Sequence, residues 1–223
     1  MELAQDEPRP KRTRSDGERS RQVILRGATE LATIEGLEGL SLGTLAAHIG
    51  MSKSGLYAHF GSKQELQLAT IDAAEGIFER EVTRPGLAAG GPLAQVLGLS
   101  DAFLSYVERR VFPGGCFFAA AAAEFDARGG GPVRTRIQEF HTEWLAMVED
   151  LVREAQKHGE IAADADPEQI TFEVDSLMLG ANAAFLLFGD SEALERARRA
   201  VRDRLEVRDP EPDGPVRRGR AGA

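Results

Sequence analysis

Apolar residues recur along this chain at intervals of three and four and nowhere alternate with a period of two, so the elements they predict are helices. Val23, Ile24, Ala28, Leu31 and Ala32 mark the inner face of a first helix over residues 20–34, with Gly36 placed to end it. Leu42, Leu45, Ala46 and Ile49 mark a short second helix with Ser41 as its N-cap. Gly50 then stands where a tight turn needs positive φ, and Met51 is placed to plug that turn from inside. Ser52 is placed to cap a third helix reaching Phe60, with Leu56 and Phe60 directed inward. The spacing of Ser62 and Glu65 predicts a capping box opening a fourth helix that runs to residue 83.

Beyond a predicted loop between Arg84-Pro85-Gly86 and Gly90-Gly91-Pro92, helical spacing continues over 93–110, 115–128, 133–158, Pro167–Phe188 and 192–207. Gly129-Gly130-Gly131-Pro132 interrupts it. The segment Pro167–Phe188 is apolar nearly all round: Ile170, Phe172, Val174, Leu177, Met178, Phe185, Leu186 and Phe188 leave it little polar face. Such a helix must be covered on every side, by the rest of its own subunit or by a second copy of the chain, and periodicity does not separate the two. The fold class is all-α. The expected organisation is a disordered basic arm over 1–16, a reader over 17–65, a helical body over 66–207 and a disordered tail over 208–223.

Charge sharpens that division. The net charge of −9 argues against a uniformly basic nucleic-acid binder. Yet residues 9–63 carry nine Lys/Arg against five Asp/Glu, whereas from Leu66 onward eighteen face twenty-seven. An acidic body repels DNA and leaves the N-terminal part to make any contact. The segment RPKRTR over 9–14 reads as a solvated tail or as an arm following phosphates into the minor groove. The 223 residues can bury a core without disulfides, and the one cysteine, Cys116, permits no intrachain bridge. Cys116 has no neighbouring base or second thiol in sequence, which favours an inert buried thiol over a redox sensor. No secretory signal and no uncharged span of membrane length is read, so the expected location is the cytoplasm, with no membrane partner.

A helix-turn-helix requires apolar inner positions in two short helices, a glycine-bearing turn, and small or polar side chains on the second helix facing a groove. SLGTLAAHIGMSKSGLYAHF meets these in order. This segment resembles the tetracycline-repressor (TetR) family signature. The resemblance rests on Ser41, Leu45-Ala46, Gly50, Ser52, Leu56-Tyr57, His59-Phe60 and Ser62-Lys63 with Leu66, preceded by Ile24-Leu25, Ala28, Leu31 and Gly36. It covers about residues 20–68; beyond them only the all-helical layout is shared.

The resemblance implies a ligand-responsive transcription regulator, by family default a repressor, bound as a homodimer to double-stranded operator DNA. It implies that Ser52, Lys53, Ser54 and Gly55 meet base edges or adjacent phosphates. Tyr57 and His59 would meet phosphates or a thymine methyl, Lys63 and Thr44 would hold phosphates, and Ser41 stands with this set. Gly43 and Ala58 depart from the family's larger polar residues, leaving fewer long side chains to read bases. The resemblance places the dimer interface on Pro167–Phe188 and 192–207. It also places a small apolar or amphipathic effector among the middle helices, with Phe103, Tyr106, Val107, Phe117, Phe118, Phe140, Trp144 and Met147 as candidate linings that ordinary core packing explains equally. Asp175, on an otherwise apolar helix, needs a partner if buried: a cationic ligand or an arginine across the dimer.

An enzyme is disfavoured. His48, His59, His141 and His158 show no metal-ligand spacing, and there is no phosphate loop or nucleophile elbow. No cofactor is implied. A helical ligand-binding or interaction protein without DNA is the other alternative.

Overall fold

The computed structural model describes residues 14–205, and they form helices joined by turns. The expectations for most of the basic arm and for the tail lie outside the described residues.

Helix α1 (Arg14–Glu35) begins six residues before the predicted start. The polar residues ahead of Val23 carry no apolar period, but a helix already nucleated propagates through them cheaply. Its end is at Gly36, which adopts φ +81. Helix α2 (Leu42–Ile49) has the predicted bounds. Its N-terminus is a true capping box: Ser41 Oγ accepts from the Thr44 N–H, and Thr44 Oγ1 accepts from the Ser41 N–H. Gly50 turns the chain at φ +66 into α3 (Lys53–Tyr57), which is shorter than predicted because Ala58 and His59 close a turn onto Leu56.

Helix α4 (Lys63–Phe78) shows half of the expected capping box. Ser62 Oγ accepts from the Glu65 N–H, but the Glu65 carboxylate accepts from the Gly61 N–H instead of that of Ser62. The helical path then does not stop at Arg84-Pro85-Gly86 as predicted. A π-helical turn, Glu79–Thr83, leads into α5 (Arg84–Leu87), with the Arg84 N–H donating to the Glu79 carbonyl. Proline removes a donor and crowds the carbonyl four residues back; the widened turn accommodates it. Gly86 is buried against α6 (Pro92–Glu108), where a Cβ would lie 2.6 Å from Leu99 Cα. Only a glycine permits that approach.

Helices α7 (Phe117–Phe125), α8 (Pro132–Lys157), α9 (Pro167–Phe188) and α10 (Ser191–Arg204) complete the body. Both α9 and α10 open on an aspartate cap, Asp166 and Asp190. Helix α9 packs against α6, α8 and α10. It buries Ile170, Val174, Met178, Ala181 and Phe185, while Phe172, Leu187 and Phe188 stand exposed. By length and composition α9 alone among the described helices could cross a membrane; Glu173 and Asp175 lie within it.

The reader and the body meet at a strap over residues 110–116. Arg26 of α1 donates to the Val111 carbonyl at 3.0 Å and lies over the Phe112 ring. The Gly114 N–H donates to Thr33 Oγ1 at 3.2 Å, and the Cys116 N–H donates to Asn182 Oδ1 of α9 at 3.1 Å. A second tie comes from α7. The Glu124 carboxylate accepts from the Leu37 and Glu38 N–H groups at 2.7 and 3.1 Å, just past the end of α1.

Candidate nucleic-acid interface and effector cavity

The inner residues of α1 to α4, among them Ile24, Ala28, Leu45, Leu56, Phe60 and Leu66, are buried and hold α3 across α2. That packing leaves Lys53, Ser54 and Tyr57 exposed. Ser41, Gly43, Lys53, Tyr57, Ser62 and Lys63 line one surface concavity of about 290 Å³. Of the predicted contact residues, Ser41, Lys53, Tyr57 and Lys63 come together here, with two cations on a shared face, whereas Thr44, Ser52, Ser54, Gly55 and His59 do not line this concavity.

Gly43 has a local role. A Cβ there would lie 3.4 Å from Lys53 Cε, so the bare α2 backbone lets the lysine lie across it. Several hydroxyls are already engaged. Thr44 Oγ1 donates to the Ser41 carbonyl, and Ser52 Oγ accepts from the Gly55 N–H, so both cap helices. His59 is half-buried with Nε2 enclosed and unpaired, so that nitrogen does not face a phosphate in this arrangement. Lys63 donates to Glu38 Oε1 at 2.7 Å, and Gln67 donates to Glu38 Oε2. These two hydrogen bonds, Lys63 first, hold the Glu38 carboxyl below its ordinary range. Any anion approaching Lys63 would compete with Glu38 for it.

In the body the predicted effector set divides. Phe103, Tyr106, Val107, Phe117 and Phe118 are buried and line neither of the two concavities described below. They belong to an aromatic core around Phe78 of α4, which meets Phe103, Tyr106, Phe118, Phe140 and Trp144 edge-on. Phe118 stacks on Phe140. The Tyr106 hydroxyl is enclosed without a hydrogen bond, and burial pushes its pKa well up. Phe140, Trp144 and Met147 do line a cavity, of about 140 Å³, between α8 and the end of α4. A second concavity, about 320 Å³, lies between α7 and α8 beside Arg134 and His141.

Within the chain, Asp175 takes its partner from α8. Trp144 Nε1–H donates to its Oδ1 at 3.0 Å, because α8 and α9 bring the indole and the carboxylate together. Burial raises the Asp175 pKa above its ordinary 3.8, with the Trp144 bond opposing. A raised folded-state pKa means stability that is present at acid pH and is lost as pH rises through that value. Asp175→Asn keeps an acceptor for Trp144 and removes the titration. Its melting temperature at pH 7 should equal or exceed that of the wild type, with a flatter profile above pH 4; a melting temperature several degrees lower would contradict this. Cys116 is also enclosed, and burial pushes its thiol up to about 11, so it stays protonated at neutral pH.

Residues 24–70 match the profile described as bacterial regulatory proteins, tetR family, and residues 92–201 match the tetracyclin repressor-like C-terminal domain. The chain belongs to the TetR family. No curated protein matches the sequence. Among solved structures, a TetR transcriptional regulator from Chloroflexus aurantiacus is 25% identical with a TM-score of 0.79, the match covering 86% of this chain and 97% of that one. SCO4454 of Streptomyces coelicolor, also a TetR-family regulator, is 26% identical with a TM-score of 0.68, covering 84% and 88%. AibR, solved with isovaleryl coenzyme A and operator DNA, shares the fold at 22% identity and a TM-score of 0.62, covering 81% and 94%.

Within this TetR chain, sequence reasoning missed Phe78, Glu75, Glu79, Thr83 and Glu143. The first four lie on or just beyond α4, which the sequence reading placed in the body as a capped helix without assigning it to the effector site. The repeat of Phe78 and Val82, continuing the buried face of α4 past Ala74, was the signal that its end packs within the body.

Proposed function

We propose that this TetR-family regulator binds operator DNA as a homodimer and releases it when a small effector enters the helical body. The observation that carries the DNA reading is the shared concavity of Ser41, Lys53, Tyr57 and Lys63 on an exposed face of α2 to α4. Two such readers must sit one helical turn of DNA apart, about 34–36 Å or a multiple of it, to engage two half-sites. The outer stripe of α9, with Phe172, Ala183 and Leu187 exposed and Leu179 half-buried, supplies the seam between copies. Helix α10 turns Leu194, Ala197 and Val201 inward and adds its charged outer face to that seam beside α9.

The cavity between α8 and α4 supports the effector half of the proposal. One wall of it is α4, whose first turn carries Lys63. A ligand there acts on the same helix that presents the phosphate contact. By linkage, operator DNA must weaken effector binding by the factor with which effector weakens operator binding.

A band-shift titration against the chain's own upstream DNA tests the reading. Salt-sensitive preference over random DNA is expected, and equal binding to both would refute it. Lys63→Ala should weaken binding to all sequences and reduce the salt slope by about one. Glu38→Gln, which frees Lys63, should strengthen binding. Lys53→Ala should instead relax sequence preference. An unchanged salt slope in Lys63→Ala would mean that Glu38 keeps the lysine in the complex.

A further inference from the structure

From the walls of the cavity between α4 and α8 we infer the chemical class of its ligand: an organic cation with an aromatic or apolar body. The floor is aromatic, made by Phe78, Phe140 and Trp144. Three carboxylates, Glu75, Glu79 and Glu143, stand around it, and no basic residue lines it. Glu75 is neutralised by Arg136, which also reaches Asp72. Glu79 and Glu143 have no ion-pair partner among the described residues, and each comes from a different helical wall.

An aromatic face attracts a cation through its quadrupole, and more strongly where water is partly excluded. Two free carboxylates at the rim add attraction for positive charge and repel anions. The π-helical turn begins at Glu79 and ends at Thr83, and both line the cavity. Single π turns interrupting α-helices gather at functional sites because they redirect side chains. On α8, Phe140, Glu143, Trp144 and Met147 follow at three and four residues and therefore share one face. This inference rests on the effector reading above and names the ligand class of that site.

The chain holds a single tryptophan, Trp144, and it lines this cavity, so tryptophan fluorescence reports a ligand bound there. The test titrates the full chain with benzyltrimethylammonium, with its neutral carbon isostere neopentylbenzene, and with the anion 4-phenylbutyrate. The cation should change Trp144 emission at the lowest concentration. Glu79→Gln with Glu143→Gln should weaken the cation about tenfold, the sum of two rim charges partly screened by water. The same pair should leave the neutral isostere within about twofold and improve the anion. Equal or tighter binding of the isostere or the anion to the wild type would overturn the inference, as would a cation affinity unmoved in the double variant. Circular dichroism of the double variant should match the wild type, since both glutamates are exposed. A parallel band shift separates the two readings. Loss of operator preference overturns the regulator reading alone, whereas intact operator binding without cation preference overturns the ligand class alone.

Discussion

A Phe172→Glu, Leu187→Glu double variant should elute as a monomer and lose at least about 100-fold in operator affinity. Both side chains stand on the outer stripe of α9, Phe172 at 65% and Leu187 at 76% exposure in the single chain. Fully covering one large apolar side chain contributes about 1.5–3 kcal/mol, and a two-fold seam repeats each contact. Replacing them by carboxylates removes that term and places like charges across the symmetry axis. The loss in DNA binding follows because each half-site is then bound alone. The inward residues Ile170, Val174 and Met178 are untouched, so the monomer should remain helical. Light scattering gives the mass and a band shift the affinity. A dimer of unchanged mass would remove this stripe of α9 from the interface and direct attention to another face.

The second large effect is expected at Gly114. A Cβ there would overlap the main-chain carbonyl of Thr33, and neither partner is a flexible side-chain tip that can swing away. Gly114→Ala must therefore pry the 110–116 strap from α1 and break the bond from the Gly114 N–H to Thr33 Oγ1. Overpacking of this kind costs about 3 kcal/mol, which for a chain of this size lowers the melting temperature by about 10 °C. Gly130→Ala is the control, since a Cβ there meets nothing within 4 Å. Equal melting temperatures for the two variants would show that the strap bears no load.

The reader was legible in sequence almost residue by residue. Ser41, Gly50, Ser52 and Gly36 act locally, through caps and positive φ, and local rules need no knowledge of distant neighbours. The bounds of α2 and α9 followed from the same signals. The effector cavity was only partly legible. Phe140, Trp144 and Met147 share a helical face that periodicity can find, but their opposite wall is α4, more than sixty residues earlier. Nothing in the spacing of one helix tells which other helix it meets. Pro85 misled for a related reason: a proline ordinarily ends a helix, and the widened turn that carries the helical path through it leaves no mark in composition. Asp175 was recognised as needing a partner, and its partner was another candidate, Trp144.

The tie between Glu124 and the end of α1 bears on how such chains recombine. The two N–H groups after the first helix take their acceptor from a residue 87 positions away from the first of them, in the body. A reader cut out at residue 90, or grafted onto the body of a distant relative, would lose that acceptor and the strap that Thr33 holds. Exchange of modules between members should therefore succeed only when the recipient body offers a carboxylate at the matching place on its own seventh helix. Operator specificity and signal specificity are in that sense inherited together in this chain, as a matched pair sharing one seam.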